Sequence, residues 1–212
     1  NLMRVGEPMY VFYGYVEDGY DENGHIVYKN MDDDPAITAA DKTIIGDPNP
    51  DFLVNLTTAV SYKGFTLSAF FQSSIGNDIY SLSMAAQAYD YGYNGNTLRE
   101  VYYNHWTPEN PTAKYPNLDQ TSYKMSDRFV YDGSFVRLKN LELAYDVPCA
   151  RNKFIKRARV YVSAQNLFTI TSYPFWDPDI NANGGGSSMI QGVDSYCYPS
   201  ARTYTIGCRL TF

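Results

Sequence analysis

The chain has 212 residues and a formal net charge of −6, from 17 Lys and Arg against 23 Asp and Glu, which excludes the basic surface that a nucleic-acid partner demands. Hydrophobic residues at 44% and charged residues at 19% exclude an intrinsically disordered chain. A mean hydropathy of −0.38, with no apolar stretch near the roughly 18 residues of a spanning helix, excludes helical membrane insertion. It does not exclude a membrane β-barrel, whose strands carry their apolar side chains on alternate positions.

The first predicted element is a weak strand over 10–16. Beyond it, Asn30, Asp32, Asp34, Ile37 and Asp41 occupy positions 1, 3, 5, 8 and 12 of an acidic loop. Hard oxygen ligands on alternate residues, closed by a carboxylate at position 12, resemble a calcium loop of the EF-hand type. Asn30, Asp32, Asp34 and Asp41 are therefore candidate ligands for Ca²⁺ with a structural role. Pro35 stands where such a loop uses Gly, and Asp41 is shorter than the usual Glu. The competing reading is a solvated acidic loop in which Asp33 is one more surface charge.

The clearest local signal runs over 52–72. Phe52, Val54, Leu56, Thr58, Val60 and Tyr62 alternate with Leu53, Asn55, Thr57, Ala59 and Ser61, and after Lys63-Gly64 the alternation resumes with Phe65, Leu67, Ala69 and Phe71. This predicts a tight hairpin. Arms of about ten residues match tilted strands that cross a bilayer and exceed the usual five or six of a soluble sheet. A long connection over 73–129 follows, with a short helix predicted at 98–103. Further strands are predicted at 134–145, 158–171 and 201–212, the last alternating Tyr204, Ile206, Cys208, Leu210 and Phe212 against Thr203, Thr205, Gly207, Arg209 and Thr211. The connection over 146–157 is short, whereas 172–200 is long.

Short turns at one end and long connections at the other are the arrangement of an outer-membrane barrel with external loops. Loops beyond about 15 residues are usually functional. In these two, Tyr89, Tyr91, Tyr93, Trp106 and Trp176 offer aromatic faces for sugar rings, and Asp177 and Asp179 offer hydrogen-bond acceptors. The same aromatics would equally serve loop packing or a protein partner's interface. His25 and His105 sit in no nucleophile or metal motif, and Gly184-Gly185-Gly186-Ser187-Ser188 lacks the Lys of a phosphate loop. No enzymatic activity is expected. Cys149, Cys197 and Cys208 form no C-x-x-C pair and are read as incidental.

Several ordered motifs resemble a known family. They are Gly6-Glu7-Pro8, Phe12-Tyr13-Gly14-Tyr15, Gly46-Asp47-Pro48-Asn49-Pro50-Asp51-Phe52, Ser134 to Leu141 followed by Ala144-Tyr145-Asp146-Val147-Pro148, Ala158 to Thr169, and Ser200 to Thr205. Together they resemble the carboxy-terminal end of the SusC/RagA-like TonB-dependent outer-membrane transporters of Bacteroidetes. The resemblance implies a barrel of about 22 strands with a plug and a TonB box in the amino-terminal region. It also implies import of glycan oligosaccharides or peptides with a SusD-like surface lipoprotein, and coupling to the TonB complex. The chain opens on Asn1-Leu2-Met3-Arg4, without an initiator Met or signal segment, and is expected to be the last portion of such a transporter.

The expected fold is thus all-β, the carboxy-terminal part of a transmembrane antiparallel barrel with long extracellular loops, located in the outer membrane in contact with lipid. Residues 1–51 would carry a weak strand and the acidic loop, and 52–212 the barrel strands. Tyr204, Ile206, Leu210 and Phe212 would face lipid and form the terminal aromatic signal for barrel assembly. The rival expectation is a secreted β-sandwich carbohydrate-binding module, which accounts for the tyrosines but not for ten-residue strands.

Overall fold

The computed structural model describes residues 1–89, 96–120, 123–149, 154–180 and 190–212. Along the chain run β1 (Phe12–Gly14), β2 (Glu17–Tyr20), β3 (Ile26–Tyr28), β4 (Thr43–Gly46), β5 (Phe52–Tyr62), β6 (Phe65–Ile75), β7 (Asp78–Ser81), α1 (Leu82–Tyr89), α2 (Arg99–Tyr103), β8 (Val130–Asp132), β9 (Phe135–Val147), β10 (Arg157–Thr171), β11 (Val193–Asp194) and β12 (Thr203–Thr211). They form two compact units. One comprises Asn1–Asn49, Asn77–Asp132 and Ile180–Cys197; the other comprises Pro50–Gly76, Gly133–Asp179 and Tyr198–Phe212.

The first unit is built from short pieces. β1 pairs with β4, β2 pairs with β3, and β7 lies between antiparallel β8 and parallel β11. Strands of two to four residues are too short to show alternation, which is why only 10–16 was legible and 73–129 read as loop. That stretch instead holds β7, α1 and α2, with β8 directly after it. The Ala- and Met-bearing α1 uses strong helix formers, and α2 falls where 98–103 predicted a helix. Val11, Phe12, Ile79, Val101 and Phe129 are buried in this unit's core, where the Tyr80 ring lies 5.9 Å from Phe12 and 6.2 Å from Phe129. Glu17 accepts hydrogen bonds from Ser126 Oγ at 2.8 Å and from Arg128, fastening β2 to the stretch before β8.

The second unit is one five-stranded antiparallel sheet in the order β12-β10-β9-β6-β5. β5 and β6 meet through Lys63 and Gly64, both at positive φ (48° and 86°), the backbone that a two-residue hairpin turn requires. The register stacks Val60, Leu67, Leu143, Val162 and Ile206 in one row across all five strands. The next row, Ser68, Glu142, Ser163 and Thr205, points the other way. One face is therefore apolar and the other polar, with Arg159 bridging Asp146 at 3.3 Å and Glu142 at 3.7 Å on the polar side.

Register shifts between Phe70 and Phe71 and between Gln165 and Phe168 interrupt this regular pairing. The extra residues keep the alternation in phase with the faces on both sides of the break: Leu138 pairs with Phe71 and Phe168, while Arg137 pairs with Gln72 and Thr169. Asn166 sits at the break with φ +50°.

Among the described residues nothing covers the apolar face: Ile206 is 87% exposed, and Leu67, Leu143 and Val162 are exposed as well. A β-sandwich would bury that face against a second sheet about 10 Å away, so the sandwich expectation is not realised. Contiguous exposure of this extent marks a surface built for an apolar environment. Strands of 11, 11, 13 and 15 residues in β5, β6, β9 and β10 suffice to cross a bilayer.

Candidate functional site

Arg137 lies on the polar face of β9, just beyond the register break, with its side chain only 2% exposed. Its Nε donates to Thr169 Oγ1 at 2.9 Å, its Nη1 donates to Asp179 Oδ2 at 3.2 Å and Ser200 Oγ at 3.4 Å, and its Nη2 pairs with Asp177 Oδ1. The guanidinium also lies 5.2 Å from the centre of the Phe135 ring. Asp177 in turn accepts the backbone N–H of Ser200 and of Asp179, each at 2.9 Å. Burial pushes the Asp177 carboxyl up, but the hydrogen bonds from Ser200, Asp179 and Arg137, together with the Arg137 charge, outweigh it and hold the group below the usual carboxylate range. One cation thereby ties the wall strand to the chain on both flanks of the second long connection.

Beside this anchor is a polar cavity of about 400 Å³, lined among others by Asn166, Thr169, Trp176, Ser200 and Arg202. The strand alternation places Thr169 on the polar face, and the left-handed turn at the register break presents Asn166 to the same space. Trp176 is 67% exposed. A second, apolar hollow lined by Leu67, Leu141, Leu143, Val162 and Ile206 belongs to the opposite face.

The residues singled out from sequence are dispersed. Trp176 and Asp177 line the cavity and Asp179 joins them through Arg137, yet Asp177 is 7% exposed and its oxygens are engaged by Arg137 and two backbone N–H groups. It acts here as an anchor. Trp106 belongs to the other unit and is half-buried on Gly24, where a Cβ would collide with its ring. Tyr89 ends α1, whereas Tyr91 and Tyr93 lie outside the described residues. Arg137, Asn166 and Arg202 were missed as site residues: each sits inside a strand motif, and no spacing rule pairs an Arg with an Asp 40 residues away.

The acidic loop folds on itself. Asn30 Oδ1 accepts the Asp32 N–H at 3.1 Å, Asp32 Oδ1 accepts the Asp34 N–H at 2.9 Å, and Asp34 Oδ1 accepts the Ala36 N–H at 3.0 Å. Asp41 is buried and accepts the N–H of Met31 and of Thr38, each at 2.7 Å, the second as part of a capping box. Among the described residues no three His, Cys, Asp or Glu side chains converge as a metal cluster. The Met31 and Thr38 N–H groups hold the Asp41 carboxyl below its ordinary range. Its contribution is therefore present above the unfolded value of about 3.9 and fades as the pH falls through the lower folded value. Asp41→Ala is expected to open residues 30–41 to protease at neutral pH while the sheet of the second unit stays intact, as limited proteolysis with mass mapping would show. An uncut loop would refute this role.

No family model matches the chain. TonB-dependent receptor P3 of Formosa agariphila is 32% identical over all of this chain, and TonB-dependent receptor SusC of Bacteroides thetaiotaomicron is 30% identical over 99% of it. Structures of the RagAB peptide transporter match 95% of the chain at 26% identity with a TM-score of 0.79. The chain spans 23% of the first relative, 20% of the second and 22% of the RagAB chain. With an open sheet that is apolar on one face and polar on the other, and sequence likeness extending from end to end, the chain matches a carboxy-terminal part of the SusC/RagA-like TonB-dependent receptors.

Proposed function

We propose that this chain forms part of the barrel wall and external face of a transporter that imports glycan oligosaccharides or peptides across the outer membrane in a TonB-dependent manner. The observation that carries the reading is the two-faced sheet: an uncovered apolar row through Leu67, Leu143, Val162 and Ile206, backed by a polar row through Ser68, Glu142, Ser163 and Thr205. The apolar face meets lipid, and the polar face lines the lumen. A SusD-like surface lipoprotein is the proposed partner at the outer end, and TonB engagement belongs to the transporter as a whole. Transport requires no catalytic group. Deleting the transporter should abolish uptake of the labelled oligosaccharide or peptide that it carries, and its gene should restore it. Unchanged uptake of both classes in the deletion strain would refute the reading.

β12 carries the assembly reading. Tyr204, Ile206, Leu210 and Phe212 are all exposed on the apolar side, Phe212 by 71%. Deleting Phe212 from the intact transporter is expected to lower its outer-membrane level several-fold, whereas Thr211→Ser leaves it unchanged, as quantitative blotting of membrane fractions would measure. Equal levels for the deletion and the wild type would remove the terminal aromatic from the assembly signal.

A further inference from the structure

We propose that the cavity beside Arg137 binds an anionic oxyacid group of the transported molecule, with Arg202 as its counter-charge, Asn166 holding the chain beside Arg202 and the Trp176 ring as a packing face. The proposal rests on the import reading and specifies the substrate chemistry. Three features of the cavity lead to it.

The first is the charge left over. Arg137 is neutralised by Asp177 and Asp179, and each of its three nitrogens is hydrogen-bonded. Arg202 lines the same cavity, is exposed, and makes no hydrogen bond or ion pair among the described residues. Its planar fork of donors suits a carboxylate or sulfate.

The second feature is a fixed backbone beside that charge. Asn166 Nδ2 donates to the Ala201 carbonyl at 2.9 Å, which ties the residue before Arg202 to the register break of β10.

The third is the exposed indole of Trp176 at the cavity's edge. A large aromatic in contact with water beside polar groups offers a flat apolar surface. Anion and flat face together describe either a sugar acid or the carboxy terminus of a peptide.

Calorimetric titration of the purified intact transporter distinguishes the two sources. The probes are trigalacturonate with its methyl ester, and a tripeptide ending in tyrosine with its carboxy-terminal amide. The charged member of one pair is expected to bind roughly tenfold more tightly than its neutral counterpart, the scale of one charge-assisted hydrogen bond. That pair identifies the source. Arg202→Gln should erase the difference, Arg202→Lys should restore part of it, and Trp176→Ala should weaken both members. A difference that survives Arg202→Gln, or no preference for either charged probe in the wild type, overturns the site. If deletion of the transporter abolishes uptake in either case, the import reading stands without the site; unchanged uptake on deletion removes the reading itself.

Discussion

Arg137→Met in the intact transporter is expected to destabilise the outer end of this barrel segment by about 3–5 kcal/mol, the cost of leaving a buried carboxylate without its partner. The side chains of Arg137 and Asp177 are 2% and 7% exposed, so water cannot replace the missing cation. The loss should appear as protease cleavage within 172–202 on intact cells and as a lower unfolding temperature of the purified protein. Arg137→Lys should recover little, because one ammonium cannot reach Thr169, Asp177, Asp179 and Ser200 together. Converting Asp177 to Leu in the Arg137→Met background should recover most of the stability, since the uncompensated charge is gone. Because the folded Asp177 carboxyl lies below its usual range, the anchor is fully present at neutral pH. It weakens only as the pH falls below the ordinary carboxylate value of about 3.9. Protease resistance of the Arg137→Met protein equal to that of the wild type would show that the cluster does not hold the segment.

The second large effect concerns the two faces. Leu143→Arg places a charge in the middle of the apolar row between Leu67 and Val162, and is expected to cost ~1–4 kcal/mol, the range for a lipid-facing Arg between interface and midplane. Ser163→Arg, one residue out of phase with Val162, points to the polar side opposite Glu142 and should cost less than about 1 kcal/mol. Membrane abundance and the heat-dependent gel mobility of the intact transporter measure both. A Ser163→Arg defect larger than that of Leu143→Arg would reverse the assignment of lipid and lumen.

The long strands were legible because each residue's face follows from its parity. Reading 52–72 as a hairpin agrees with β5 and β6, and 134–145, 158–171 and 201–212 fall within two residues of β9, β10 and β12 at each end. The helix at 98–103 was visible for the same reason of local pattern. α1 was overlooked although its Ala-Ala-Gln-Ala run favours helix, because the tyrosines after it drew the segment into a loop. The short strands of the first unit carry too few residues to reveal a period.

Residue order alone settled that the chain makes long amphipathic strands with a tight turn at Lys63-Gly64, since alternation and turn chemistry act over a few neighbouring residues. The meeting of Arg137 with Asp177, Asp179 and Ser200, and the presentation of Asn166 to the cavity, were decided only in three dimensions. They depend on the register breaks at Phe70/Phe71 and Gln165/Phe168, which shift pairing between strands far apart in the chain. A bulge is selected by the fit of whole neighbouring strands, and no local run of residues encodes that fit.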